Sequence, residues 1–186
     1  MAFRIGIGYD MHAFAPVSAA RPLVIGGVHF PDTPGLAGHS DADVLTHAVA
    51  DALLGAARLG DLGEHFPDSD PRYLQADSLE LLRQVTQKVA EAGFQIVDVD
   101  CVVLAEQPKL SPHRVKMQEN LAAAMLITTE AVGVKATTTE GLGAIGRREG
   151  IAATAVALLE STIIDSGNTD QAGFSTYNPS FLTNKV

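Results

Sequence analysis

The chain has no tryptophan, a single cysteine and only 5% aromatic residues. One cysteine excludes an internal disulfide and a Cys-rich zinc module. So few aromatics argue against a stacking platform for single-stranded nucleic acid. Basic residues are also scarce: 13 Lys and Arg against 22 Asp and Glu give a net charge of −9. A duplex-binding surface carries the opposite balance, so no nucleic-acid partner is expected. No apolar run is long enough to span a membrane, and the N-terminus carries no signal-peptide pattern. A cytoplasmic protein is the default expectation, and a plastid stromal protein with its transit peptide removed would read the same. The acidic field opposes any anionic ligand. Metal ions, helix N-termini or a few placed cations would have to supply the attraction.

What is present suits one packed domain. The 186 residues are 46% hydrophobic and 19% charged, enough apolar surface for a core. Residues 3–12 read as a strand in which Ile5 and Ile7 alternate with glycines. Residues 23–30 read as a hairpin, with Gly26-Gly27 supplying the positive φ of a tight turn. A Pro- and Gly-rich loop, 31–38, precedes a helix starting near Asp41 or Asp43. Leu45, Ala48, Val49, Ala52, Leu53 and Ala56 form its buried stripe. Residues 60–72 read as a second loop. Asp77 and Glu80 resemble a capping box opening a helix that Gly93 closes, with Leu81, Leu82, Val85 and Val89 as its core face. Residues 96–104 and 131–136 read as strands. Ser111-Pro112 predicts a cap and first-turn proline for a helix reaching about Leu126. Residues 150–164 fit either helix or strand. Residues 165–186 are polar and read as a tail outside a domain of residues 1–164. The alternation of strands and helices predicts an α/β domain with a small mixed sheet.

Three segments carry chemistry. In Gly8-Tyr9-Asp10-Met11-His12, a strand puts Asp10 and His12 on one face. In His39-Ser40-Asp41-Ala42-Asp43, the chain enters the helix that carries His47 one turn in. Two readings stay open. In one, Asp10 ends a strand and His47 is a core histidine held by Asp43 or Asp51. In the other, Asp10, His12 and His47 make a two-histidine, one-carboxylate site with an open position, suited to Zn²⁺ and also to Mn²⁺ or Co²⁺. Asp43, His47 and Asp51 fall at i, i+4 and i+8, so a carboxylate on that face is expected to orient the imidazole. An N-cap role for Asp43 and a solvated Asp51 are the plainer alternatives. The third segment, Lys135-Ala136-Thr137-Thr138-Thr139-Glu140-Gly141, leaves a strand with hydroxyls and backbone N–H groups able to cradle phosphate, and Glu140 able to hold a hard cation. A threonine-rich strand end is its plain alternative. Arg147 and Arg148 form the one paired basic cluster, open to phosphate or to solvent. Cys101 lies in an apolar strand and reads as an inert thiol.

Taken in order, G-Y-D-M-H, I-G-G-V, H-S-D-A-D-V-x-x-H, D-A-L-L-G-A, G-D-L-G-x-x-F-P-D-S-D and K-A-T-T-T-E-x-L-G closely resemble the 2-C-methyl-D-erythritol 2,4-cyclodiphosphate synthase family of the non-mevalonate isoprenoid pathway. The resemblance spans roughly residues 3–164, and several spaced motifs in one order make chance agreement improbable. It implies an α+β domain, a four-stranded mixed sheet with helices on one side and a short hairpin, assembled as a homotrimer with sites between subunits. It settles residues 150–164 as a strand.

By the same resemblance, Asp10, His12 and His47 are Zn²⁺ ligands, and Glu140 holds Mg²⁺ or Mn²⁺. His39 and Thr138 are catalytic. Ser40 meets the reacting phosphates, and Asp51 lies near the ribose. Asp61, Leu62 and Gly63 hold the methylerythritol portion, beside the loop Phe66, Pro67, Asp68, Ser69 and Asp70. Ala105, Gln107, Pro108, Lys109 and Leu110, with Ala136, Thr137 and Thr138, form the cytidine side of the site, and Thr139 also touches substrate. Arg147 contacts phosphate. Asp10 and His12 also touch substrate. The implied activity is that of a phosphorus–oxygen lyase releasing CMP. Two positions depart from the family: Ala144, where an aromatic is frequent, and Arg148, where glycine is. The metal residues alone would equally serve a phosphodiester or diphosphate hydrolase. A non-catalytic trimer binding isoprenoid diphosphates is the third class.

Overall fold

The computed structural model describes residues 2–162. The polar tail expected at 165–186, and the last two residues of the strand expected at 150–164, lie outside the described residues.

The chain opens with β1 (Phe3–Ala13), then β2 (Pro22–Ile25) and β3 (Val28–Pro34), which pair as an antiparallel hairpin. Gly26 and Gly27 have φ of 56° and 68°, as a tight turn of this kind requires. The helix α1 (Val44–Ala57), the short α2 (Leu62–His65) and α3 (Ser78–Glu91) follow. Then come β4 (Phe94–Leu104), α4 (Arg114–Met125), β5 (Val132–Thr137), the short α5 (Gly143–Gly146) and β6 (Gly150–Ser161). The four-stranded sheet has the order β1-β6-β4-β5. β6 is antiparallel to both β1 and β4, and β4 runs parallel to β5. This is the mixed α+β sheet that the sequence predicts.

Close approach between α1 and β1 explains the glycines of the first strand. A Cβ on Gly6 would sit 2.0 Å from the Ala52 carbonyl oxygen, and one on Gly8 would sit 1.9 Å from that of Ala48. Small residues continue across the inner face, where Ala153, Ala155 and Ala157 of β6 are buried. The alanines that made residues 150–164 ambiguous are therefore strand residues chosen for a helix lying close above them. α1 is buried nearly all round, between the sheet and α3, as expected of a helix apolar on most sides. Leu45, Leu53, Leu54 and Leu82 are wholly buried there, each contributing about 2 kcal/mol. Cys101 faces this core, and burial pushes its thiol up to about 12, so it is inert as expected.

Among the described residues, nothing covers the opposite face of the sheet along β1. Phe3, Ile5, Ile7, Tyr9 and Met11 alternate along β1 with exposures between 52% and 72%, and Val156 stands opposite Ile7. A contiguous apolar row of this kind marks a contact surface.

Several expectations shift. The first helix begins at Val44 with Asp43 as its cap. Asp77 caps α3 through the Leu79 amide, but Glu80 pairs with Arg83, so the return half of the capping box is absent. Ser111 and Pro112 lie in a 3-10 turn, and α4 starts three residues later at Arg114 without a side-chain cap. β3 extends into the expected 31–38 loop. The 60–72 loop contains α2 and a second 3-10 turn, Pro71–Tyr73.

Candidate active site

The end of β1 and the first turn of α1 bring Asp10, His12 and His47 together. His12 Nε2 lies 2.9 Å and His47 Nδ1 3.0 Å from Asp10 Oδ2, and the two nitrogens are 3.4 Å apart. One ligand atom from each residue lies within 4.8 Å of the others, and among the described residues no other such group of three occurs. Each imidazole is fixed from behind. His12 Nδ1 is 2.7 Å from the Ala37 carbonyl. His47 Nε2 is 3.0 Å from Ser40 Oγ and 2.9 Å from Ser78 Oγ. Two histidines and a carboxylate, with the far ring nitrogens already engaged, fit a borderline divalent cation and leave a ligand position open.

Electrostatics agree with that fit. Burial would raise the Asp10 carboxyl, but hydrogen bonds with His12 and His47, and their charge, hold it well below the usual carboxylate range. Burial disfavours a charged His12, yet the hydrogen bond to Asp10 and its charge raise the imidazole above its ordinary value. Positive charge is favoured where the three donors meet.

A cleft of about 250 Å³ opens over this cluster, lined by His39, Ser40, Asp51, Leu62, Gly63, Phe66 and Asp68 among others. His39 Nε2 lies 3.1 Å from the Asp70 carbonyl oxygen. Asp61 caps α2 by accepting from the Glu64 amide, and Asp70 accepts from the Arg72 guanidinium and backbone. Hydrogen bonds from Arg72 hold the Asp70 carboxyl below its ordinary value. Phe66 is buried edge-on against Tyr73 at 5.2 Å, and is followed by half-buried Pro67 and the exposed Asp68 and Ser69.

The expected carboxylate behind His47 is neither Asp43 nor Asp51. Asp43 is fully buried and accepts from the Gly26, Gly27 and Thr46 amides, tying α1 to the hairpin. Burial, with Asp41 nearby, raises its carboxyl. Asp51 accepts from the Leu62 amide at 2.7 Å, and burial raises it too. Helical spacing put all three on one face but could not say which neighbours stood closer.

Seven of the remaining predicted residues line a second cleft, of about 400 Å³, that shares no residue with the first. Ala105, Pro108, Lys109, Leu110, Ala136, Thr137 and Thr138 form its walls. Gln107, exposed beside it, is joined to Pro108 by a cis peptide bond. Thr138 Oγ1 donates to Glu140 at 2.6 Å, and Arg147 donates to Glu149 at 2.6 Å. The Arg147 guanidinium thus has a carboxylate partner within its own chain.

Four further residues have roles here and are not among the predicted site residues. Ser78 and Asp41 stand behind His47. Arg21 holds the His39–Ser40 loop by donating to the Gly38 carbonyl at 2.6 Å and to the Ser40 carbonyl. Glu106 accepts from the Thr139 amide at 2.9 Å and from its hydroxyl, holding the threonine loop. The Thr139 amide, more than any other contact, holds the Glu106 carboxyl below its usual range. Each acts on a segment distant in sequence, which spacing cannot reveal.

A family model described as the YgbB family matches residues 3–160. A 2-C-methyl-D-erythritol 2,4-cyclodiphosphate synthase of Salinibacter ruber is 56% identical over 158 residues, 85% of this chain and 99% of that protein. The chain belongs to this synthase family. The fold agrees. A Plasmodium falciparum IspF in complex with CDP matches with a TM-score of 0.75 at 31% identity, over 87% of this chain and 98% of that one. The bifunctional IspDF of Campylobacter jejuni matches with a TM-score of 0.81 at 44% identity, over 86% of this chain. There the chain spans only 42% of the larger protein.

Of the two positions at which the resemblance implies a departure from the family, one has an unusual backbone. Arg148 has a φ of 61°, in the left-handed region where glycine is unstrained and other residues cost about 1–2 kcal/mol. Ala144 lies half-buried in α5, and nothing in the structure explains its exchange for an aromatic.

Proposed function

We propose that this enzyme converts 4-diphosphocytidyl-2-C-methyl-D-erythritol 2-phosphate into 2-C-methyl-D-erythritol 2,4-cyclodiphosphate and CMP, as a phosphorus–oxygen lyase of the non-mevalonate isoprenoid pathway. The observation that carries the reading is the meeting of Asp10, His12 and His47 in a chain 56% identical to a synthase of that name. An oxygen of the 2-phosphate bonds to the β-phosphorus. The bond from that phosphorus to the bridging oxygen breaks, and CMP leaves with the electron pair. The nucleophile is already anionic, so no strong base is required. The difficulty is to bring two like-charged phosphates into contact. Holding both ends of one substrate makes the attack intramolecular, and this lowers the barrier by up to about 7–11 kcal/mol.

The residues divide the work. Asp10, His12 and His47 would hold Zn²⁺, and Glu140 would hold Mg²⁺ or Mn²⁺ with the diphosphate; these cations would neutralise phosphate charge and polarise the reacting phosphorus. His39 and Thr138 would steady the charge that grows in the transition state. Ser40 meets the phosphates at the mouth of the first cleft. Asp61, Leu62 and Gly63 take the methylerythritol portion, with the loop from Phe66 through Pro67, Asp68 and Ser69 to Asp70 beside it. Asp51 takes the ribose. Ala105, Gln107, Pro108, Lys109 and Leu110, facing Ala136, Thr137 and Thr138, take the cytidine, and Thr139 also touches substrate. Arg147 shares its guanidinium between Glu149 and phosphate.

One chain holds these groups in two separate clefts. We assign them to a single site completed between neighbouring subunits of a homotrimer, acting in the cytoplasm. The exposed apolar row on β1 supports that assembly, since closed symmetry buries matching patches. ³¹P NMR of the full chain with the proposed substrate, Zn²⁺ and Mg²⁺ tests the reaction. The cyclodiphosphate and CMP should appear, and the His12→Ala variant should form neither. Linear phosphate products would instead assign a hydrolase.

A further inference from the structure

We propose that Ser78 and Asp41 are positioning residues for His47: they fix which imidazole nitrogen faces the cation site, and so set affinity for a divalent first-row metal. This rests on the reading of Asp10, His12 and His47 as metal ligands. His47 Nδ1 faces Asp10, while Nε2, across the ring, lies 2.9 Å from Ser78 Oγ and 3.0 Å from Ser40 Oγ. The two hydroxyls are not equivalent. Ser78 Oγ–H donates to Asp41 Oδ1 in a short hydrogen bond. An ionised carboxylate only accepts, so the Ser78 hydrogen is committed to Asp41 and its lone pairs are left for Nε2–H. Ser40 accepts from the Ala42 amide and has no carboxylate behind it.

Asp41 is itself held in place. It accepts from the Ser78 amide at 3.0 Å and from the Asp43 amide at 3.1 Å, so its carboxylate cannot turn away. Ser78 is 1% exposed and His47 9%, and in such surroundings a fully paired network is strong. With Nε2 protonated, the lone pair of Nδ1 points at Asp10 and His12, as a ligand atom must. Without the Ser78 hydroxyl, Asp10 would compete for a proton on Nδ1 and favour the tautomer unable to bind metal. The relay ties the start of α3 to the ligand on α1, across 31 residues of sequence.

The test is Zn²⁺ affinity of the full chain, stripped with chelator and titrated against a competing indicator. The Ser78→Ala variant should bind Zn²⁺ about 10–100-fold more weakly. Ser78→Thr, which keeps the hydroxyl, should restore most of the affinity. Equal affinity in wild type and Ser78→Ala overturns the proposal, as does a folded Ser78→Thr that binds as weakly as alanine. Should Ser78→Ala not fold, ¹⁵N-edited NMR of the Zn²⁺-loaded wild type decides. A slowly exchanging His47 Nε2–H close to the Ser78 β-protons supports the relay, and a fast-exchanging one overturns it. A wild type that binds no Zn²⁺ overturns the metal reading itself, and is distinct from these results.

Discussion

The two clefts differ in how much of each is finished within one chain. Around Asp10, His12 and His47, every donor is braced by a second group, and α1, which carries His47, is buried nearly all round. β1 and α1 touch with no room for a Cβ at Gly6 or Gly8. Around Thr138, Glu140 and Arg147, the side chains are exposed, with Thr138 paired to Glu140 and Arg147 to Glu149. The metal half is preorganised by the core, where burial strengthens each interaction. The half proposed to take the nucleotide is an exposed surface. A substrate with a compact diphosphate and a bulky nucleoside can use both: a rigid half to set the reacting atoms, and an adaptable half to capture the base.

Substitutions can break or sharpen this contrast. The largest effect is expected at the metal half. His47→Ala should remove Zn²⁺ binding and lower turnover by at least about a thousandfold, read as CMP release and metal content. Thr138→Ala should lower turnover by about 10²–10³ while leaving Zn²⁺ content intact. Loss of metal in both variants would mean that the halves are not separable.

Gly8→Ala comes next, because the added Cβ would meet helix backbone rather than a flexible side chain. A loss of about 3 kcal/mol is expected, seen as a melting temperature lowered by about 6–12 °C. Asp43→Ala should cost about 2–3 kcal/mol, since it removes the α1 cap and strands the buried Gly26 amide. Chemical denaturation measures both.

On the nucleotide side the effect should be small and of opposite sign. Arg148→Gly relieves a left-handed backbone and should stabilise the chain by about 1 kcal/mol. Destabilisation by Arg148→Gly would show that this loop is as tightly braced as the metal half.

Local chemistry made part of this legible in the sequence. Asp10 and His12 share a face because a strand repeats every two residues. Gly26-Gly27 announces a turn because few other pairs take positive φ twice. The alanines of β6 were unreadable locally, because their size answers to α1 above them and not to strand propensity. Ser111-Pro112 marks a helix start, yet one 3-10 turn intervenes before α4. For Asp43 the plainer reading, an N-cap, is the right one. Asp41 stood in a motif, but its role, like those of Ser78, Arg21 and Glu106, stayed hidden because it depends on a segment brought near only by the fold.

The central claim is that one working site needs both halves and that they come from different subunits. The direct test is to unfold a mixture of His12→Ala and Thr138→Ala chains, refold them together, and assay CMP release. The account predicts that two inactive variants regain activity on mixing, with about a quarter of interfaces intact by random assortment. A mixture as inactive as its components, with assembly confirmed, would place both halves of each site within one chain and contradict the account.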